Sequence, residues 1–313
     1  MVHYNDAGEK RIWGFPVDAP AERHFLSSKD EDFNIASGLL MTKESMYEIG
    51  CIGGGQMGEA LVKGLLKAGL YQASSLLVAE PNAERGKYLR DTYEIITSDT
   101  ASDVWRKCST VLLAVKPQIM AKVLASAKPF IQETHLLITI AAGLPLAFYE
   151  GLLDSRAKII RVMPNTPALV LEGASALCCN ANVTTEEMRK ATAIFNAVGV
   201  AVVLDERYLD AVTGLSGSGP AYVFTFIEAL IDAGLKTGLP RDVAETLAMQ
   251  TVLGSVKLMR ETKEHPAVLR SRVTSPGGTT IAGLHVLEKN GFRGIVMDAV
   301  EAAARRSAEL GRQ

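Results

Sequence analysis

Tyr47-Glu48-Ile49-Gly50-Cys51-Ile52-Gly53-Gly54-Gly55-Gln56-Met57-Gly58, followed by the amphipathic run 59–68, decides the fold of this chain. The first six residues read as a buried strand and the last run as a helix, with G-x-G-x-x-G between them. Strand, glycine turn and helix together are what a dinucleotide fold requires. Gly53 serves the tight turn, Gly55 the close approach of a pyrophosphate, and Gly58 the packing of helix on strand.

Working outward, the apolar runs 75–79, 110–115, 136–140 and 159–163 alternate with helical stretches such as 83–90 and 119–127. That alternation predicts a doubly wound, mostly parallel α/β sheet of Rossmann type, with ligands bound outside the carboxyl ends of the strands. The strand ends to watch are Glu80-Pro81-Asn82, Ala114-Val115-Lys116-Pro117, Ala141-Ala142-Gly143 and Pro164-Asn165-Thr166-Pro167. Glu80 stands 22 residues beyond Gly58, where an acid accepts hydrogen bonds from the adenosine ribose hydroxyls. Its charge opposes a 2′-phosphate, so NADH is favoured over NADPH unless Arg85 or Arg272 neutralises that phosphate. Lys116 is delivered by its strand to the cofactor edge, with the Ala-Val-Lys-Pro backbone expected along the dinucleotide.

After 200–204 the strand pattern stops, and every later periodic stretch is helical: 221–233, 243–260, 280–289 and 295–310. The expected domains are an N-terminal extension over 1–46, a dinucleotide-binding domain over 47–207 and an all-helical domain over 208–313. Gly214-Leu215-Ser216-Gly217-Ser218-Gly219-Pro220 permits very close helix contact. The surplus of apolar helix positions, Val286, Leu287, Val296 and Val300 among them, predicts that a second copy covers them. Thr274-Ser275-Pro276-Gly277-Gly278-Thr279-Thr280 then feeds a turn straight into a helix. Its exposed amides and hydroxyls suit a small anion.

The 33 Lys+Arg against 35 Asp+Glu give a net charge of −2 without a basic stripe, which excludes nucleic acid as a main partner. No apolar run of about 18 residues occurs, so no membrane helix is expected. Cys51, Cys108, Cys178 and Cys179 lack metal-ligand spacing and are expected to be reduced structural residues in the cytoplasm; no metal site is expected. The first 46 residues carry five Lys/Arg and eight Asp/Glu and show no sustained periodicity. They read as a mobile extension, neither transit peptide nor secretory signal. Met41 and Met46 stand where a downstream translation start would leave the rest of the chain intact.

Gly-Leu-Ser-Gly-Ser-Gly-Pro-Ala-Tyr at 214–222 and Thr-Ser-Pro-Gly-Gly-Thr-Thr at 274–280 resemble, in order and spacing, the motifs of the pyrroline-5-carboxylate reductases. Ala114-Val115-Lys116-Pro117, Asn165-Thr166-Pro167 and His285-Val286-Leu287-Glu288 join the resemblance, which runs from about Tyr47 to the C-terminus. It implies hydride transfer from NAD(P)H to the imine carbon of 1-pyrroline-5-carboxylate, giving L-proline in the last step of proline biosynthesis. It also implies a Rossmann domain followed by a helical dimerisation domain, in a homodimer or an assembly of dimers. Carried over by position, Ser275, the Gly277-Gly278 turn and the Thr279 and Thr280 amides hold the substrate carboxylate. The Thr280 hydroxyl, the catalytic group, bonds the ring nitrogen, and Glu206 completes the pocket. The cofactor falls to Ile52, Gly53, Gly54, Gly55, Gln56, Met57 and Gly58, to Glu80 and Asn82, to Ala114, Val115, Lys116 and Pro117, and to Ala142, Asn165 and Arg272. The chain departs from the family pattern at Glu80, where many relatives have serine, at Arg272, where asparagine is common, and at Thr100.

Two other readings compete. A β-hydroxyacid dehydrogenase would use a helix-borne lysine as acid/base, for which Lys236 and Lys257 are available; a catalytically silent dinucleotide-binding regulator would need no intact anion cradle.

Overall fold

The structure, a computed structural model, describes residues 3–4, 10–12, 15–16, 47–154 and 156–311. Two compact units divide the chain, Met1–Met41 and Thr42–Gln313. In the first, strands β1 (His3–Tyr4), β2 (Lys10–Ile12) and β3 (Phe15–Pro16) pair antiparallel in a small sheet that the sequence pattern does not foretell. Most of the expected extension, with Met41 and Met46, lies outside the described residues.

The second unit is built on an eight-stranded sheet. Its strands are β4 (Tyr47–Ile52), β5 (Leu76–Ala79), β6 (Ile96–Ser98), β7 (Cys108–Leu113), β8 (Leu136–Thr139), β9 (Lys158–Met163), β10 (Gly173–Cys179) and β11 (Gly199–Val203). The order is β11-β10-β9-β8-β7-β4-β5-β6. Counted from β4 to β9, this is the 3-2-1-4-5-6 order of dinucleotide folds, and the chain reverses direction across the sheet between β4 and β7. Pairing is parallel except between β9 and β10, so the sheet is mostly parallel, as expected. Every residue of β5 and β8 is buried, the signature of strands covered on both faces.

Helices α1 (Gln56–Lys67), α2 (Ala83–Tyr93), α3 (Ala101–Lys107), α4 (Pro117–Ala127), α5 (Leu146–Leu152) and α6 (Thr185–Asn196) cover the sheet. One cluster packs Leu61 and Leu65 of α1 with Ile49, Val78, Ile160 and Phe195. The other packs Trp105, Met120 and Tyr149 with Ile52, Val111 and Leu137. Three of the four cysteines are buried in the sheet, the place expected of a structural residue, and Cys179 is not. Burial pushes the thiols of Cys51, Cys108 and Cys178 up to about 12, while Cys179, on the opposite face of β10, is exposed.

From Glu206 onward the described chain is helical. A short 3₁₀ turn (Glu206–Tyr208) leads to α7 (Leu209–Val212), a π turn (Thr213–Gly217), α8 (Gly219–Lys236), α9 (Arg241–Thr262), α10 (Pro266–Arg272), α11 (Thr279–Lys289) and α12 (Phe292–Leu310). The glycine-rich segment is a close-packing device. A Cβ on Gly214 would stand 2.5 Å from the Val300 carbonyl oxygen of α12, and one on Gly217 would stand 2.5 Å from Met163 Cε. Helix α12 thereby lies against the π turn, and its Ser307 hydroxyl donates to Asp210 at 2.6 Å. By contrast α8, α10 and α11 bury none of their residues within one chain.

Candidate active site

The three motif glycines have distinct surroundings. Gly53 has φ +106°, and a Cβ there would meet the Ala114 carbonyl oxygen at 2.6 Å. A Cβ on Gly58 would stand 2.2 Å from the Gly53 carbonyl oxygen, so the helix can approach the strand only without a side chain. At Gly55 nothing lies within 4 Å, leaving open space in front of the first amides of α1, which no side chain caps. An uncapped helix N-terminus behind an open glycine fits a pyrophosphate. Ile52, Gln56 and Met57 complete this turn, with Ala114 bonded back to the Ile52 carbonyl at 2.9 Å.

At the end of β5, Glu80 accepts from the Gly54 amide and the Asn82 amide, both at 2.9 Å. Asn82 caps α2 by accepting from the Arg85 amide. At the end of β7, Ala114 and Val115 press on Gly53, Lys116 is the residue before α4, and Pro117 opens that helix. Ala142 lies in the turn after β8 that ends at Gly143, φ +77°.

Residues 274–280 lead the chain into α11. Gly277 takes φ +67°, a conformation that favours glycine, and turns the chain into α11. A Cβ on Gly278 would stand 2.3 Å from Ser275 Oγ, so that hydroxyl lies over the turn. Gly278 precedes α11 without a side-chain cap, which leaves the Thr279 and Thr280 amides at an open helix start. A groove of about 840 Å³ runs beside it, lined by Arg270, Thr274, Gly277, Gly278, Ile281 and His285 among others.

A family model described as pyrroline-5-carboxylate reductase dimerisation matches residues 206–310, and one described as NADP oxidoreductase, coenzyme F420-dependent, matches residues 48–143. The chain is 48% identical over 266 residues to the pyrroline-5-carboxylate reductase of Synechocystis sp., across 85% of this chain and 99% of that protein. It is 42% identical to that of Pisum sativum, across 84% and 96%. The chain belongs to the pyrroline-5-carboxylate reductase family. Among solved structures, the Plasmodium falciparum pyrroline carboxylate reductase with NADP bound superposes with TM-score 0.77 at 38% identity, covering 86% of this chain and 99% of that one. The Coxiella burnetii pyrroline-5-carboxylate reductase gives 0.81 at 34%, covering 86% and 100%.

Among the described residues of this reductase, no hydrogen bond or ion pair joins residues 275–280 to any residue before Glu206. Arg272 lies on α10 and makes two bonds to the Glu264 carboxylate, at 2.5 and 2.6 Å, and none to the glycine turn. Asn165 gives its side chain to two internal bonds, accepting from Ala174 N at 2.8 Å and donating to the Ser216 carbonyl at 3.1 Å. It braces β10 and the π turn together. Lys236 ends α8 and Lys257 lies within α9, neither in a glycine-rich turn.

Glu206 has a partner the sequence does not announce. Its Oε1 accepts from Arg161 at 2.8 Å and from the first amide of α5, Leu146 N, at 2.7 Å. Arg161 is 6% exposed on β9, so the first residue of the helical part is tied to a buried charge in the sheet. The one sequence signal for this is an arginine inside the apolar run Ile159-Ile160-Arg161-Val162.

Proposed function

We propose that the chain reduces 1-pyrroline-5-carboxylate to L-proline, in the last step of proline biosynthesis, with its glycine turn holding NAD(P)H and its Ser275–Thr280 turn (residues 275–280) holding the substrate. The observation that carries this assignment is the pairing, in one chain, of an uncapped α1 start behind the open Gly55, suited to a pyrophosphate, with an uncapped α11 start where Ser275 Oγ lies over the Gly277-Gly278 turn, suited to a carboxylate. When bound, NAD(P)H supplies the hydride for the imine carbon.

The chain's own work is binding and orientation. Residues 52–58 cradle the pyrophosphate, with Ala114, Val115, Lys116, Pro117 and Ala142 along the dinucleotide and Glu80 and Asn82 at the adenosine ribose. Asn165 supports the site as a brace. Ser275, Gly277, Gly278 and the amides of Thr279 and Thr280 take the substrate carboxylate, and the Thr280 hydroxyl holds the ring nitrogen. A protonated imine is already electrophilic, so placing its carbon about 3–3.5 Å from the hydride donor supplies much of the catalysis without a strong general acid. Glu206 closes the pocket wall through its bond to the α5 start.

Residues 47–207 serve the cofactor and 208–313 the substrate and dimerisation. The homodimer brings one copy's cofactor turn to the helices of the pair, consistent with the absence, among the described residues, of any bond between the two turns within one chain. The extension 1–46 lies outside this division. Glu80 favours NADH, and the protein works in the cytoplasm.

Initial rates of NADH and of NADPH oxidation with 1-pyrroline-5-carboxylate, with L-proline identified as product, test the assignment. Proline formation with NADH well ahead of NADPH is expected. A folded protein that binds nucleotide and forms no proline would overturn it.

A further inference from the structure

Between the glycine turn and α2 lies a cluster of side chains that the assignments above leave unused. Glu59, in the first turn of α1, receives three donors: the Arg85 guanidinium, the Tyr93 hydroxyl at 2.7 Å and the Tyr88 hydroxyl at 3.0 Å. The pair is largely covered, with 18% of the Glu59 side chain and 28% of that of Arg85 exposed. Burial works against the Glu59 charge, but the bonds from Tyr93, Arg85 and Tyr88 outweigh it and hold the carboxyl below its ordinary range. Arg85 also donates from Nε to the Gly54 carbonyl at 2.7 Å, and its guanidinium lies 5.0 Å from the centre of the Tyr88 ring.

Gly54 is where this cluster meets the cofactor turn. Its amide is held by Glu80 and its carbonyl by Arg85, so the acid suited to a ribose diol and the arginine suited to a 2′-phosphate grip one residue from two sides. A guanidinium offers five N–H donors in a fixed fork. Here the Nε and Nη2 positions are already turned toward Gly54 and Glu59. Glu59 already pairs with the Arg85 guanidinium, and Glu80 adds a second carboxylate at the same residue of the turn, so a ligand phosphate finds no free positive charge there. A 2′-phosphate adds roughly −1.5 to −2 more at neutral pH.

We infer that Glu59 is a specificity-determining residue: it latches Arg85 onto the glycine turn and thereby keeps the site selective for a 2′-hydroxyl, NADH, over a 2′-phosphate, NADPH. Glu59 acts through Arg85 and has no part in positioning the substrate. The inference rests on the glycine turn being the cofactor site.

The test measures dissociation constants of the full-length protein for NADH and NADPH by fluorescence titration, and for ADP and 2′,5′-ADP by calorimetry. Wild type, Glu59→Gln, Arg85→Ala and the double variant are compared, with thermal unfolding as a check on the fold. Glu59→Gln is expected to shift the NADPH-to-NADH ratio toward NADPH by roughly fivefold or more, as a new charge-assisted contact to phosphate would. Arg85→Ala alone should move the ratio less than about twofold, and adding it to Glu59→Gln should cancel the gain, the signature of coupled residues. Tyr93→Phe, which removes one donor from Glu59 and keeps the ring, should shift the ratio the same way by less, and it carries the test if Glu59→Gln does not fold. A ratio unmoved in the Glu59 and Tyr93 variants, or a gain that survives removal of Arg85, would overturn the latch. Failure of the wild type to bind either dinucleotide would overturn the latch and the cofactor site together. Binding without proline formation would sink the reaction assignment alone, because the ratio is read without turnover.

Discussion

Thr280 is the second residue of α11, and among the described residues its hydroxyl makes no hydrogen bond within the chain, which leaves it available for the contact to the ring nitrogen that the proposed function assigns to it. Replacement by alanine keeps the helix start and removes that contact. Thr280→Ala is expected to lower kcat by roughly tenfold to a hundredfold, the scale of a misplaced reactant. Its NADH dissociation constant should stay at the wild-type value, and steady-state rates beside a fluorescence titration check both. His135 makes a different prediction. It is buried, accepts from the Gln132 amide at 2.8 Å and packs edge-on against Trp105, and burial holds its pKa below the ordinary 6.5. The unfolded chain therefore binds a proton that the folded one refuses. The stability due to neutral His135 is complete above about pH 6.5 and is lost as pH falls from there through the folded value. Melting temperatures of wild type and His135→Gln between pH 7.5 and 5 should fall less steeply in the variant; parallel curves would remove His135 from the account.

At the scale of elements, the strand–turn–helix from β4 to α1 separates packing from ligand binding by the position of its glycines. Gly58→Val places a side chain where a Cβ already stands 2.2 Å from the Gly53 carbonyl oxygen, and should cost about 2 kcal/mol in urea unfolding as well as nucleotide binding. Gly55→Val adds its side chain to open space. It should leave the unfolding midpoint within the error of wild type and still raise the NADH dissociation constant at least tenfold, since the space it fills is the ligand's. Equal losses of stability in the two variants would contradict this division. The same local logic explains what the sequence made legible. β4, the glycine turn and α1 are written in consecutive residues, and the cradle is spelled by Ser275, Gly277, Gly278 and Thr279 in one short run. β6 is three residues long and only partly buried, and α3 and α5 have seven residues each, too few to show a period. β10 begins Gly-Ala-Ser-Ala, small residues without strand preference, and its antiparallel pairing with β9 is set by the neighbour it meets. Arg161 and Glu206 are 45 residues apart, and Arg85 is 26 from Glu59, so both pairs exist only once the helices and sheet have packed.

At the scale of the whole molecule, the helical part cannot stand on its own packing. Phe224 of α8 is 65% exposed and Met297 of α12 is 66% exposed, while α8, α10 and α11 bury no residue and α9 buries just Ala244 and Ala248. Each large apolar side chain left in water forgoes about 1.5–3 kcal/mol, and a segment of this size without a core would not persist alone. A second copy, pairing through these helices, supplies the missing contacts, and under the proposed function it carries a substrate turn to the cofactor of its mate. Dimerisation and turnover are then one property, whereas nucleotide binding belongs to the sheet of each copy. A glutamate placed in the pairing face must either remain hydrated, which keeps the copies apart, or be buried at a cost of several kcal/mol. Phe224→Glu and Met297→Glu are therefore expected to shift the protein toward monomer in sedimentation velocity at micromolar concentration. Proline formation should fall in proportion to the dimer lost, and NADH titration should still show one site per chain with near wild-type affinity. Two variants that stay dimeric and fully active would move the pairing face off α8 and α12. A monomer with undiminished turnover would show instead that one chain assembles the whole site.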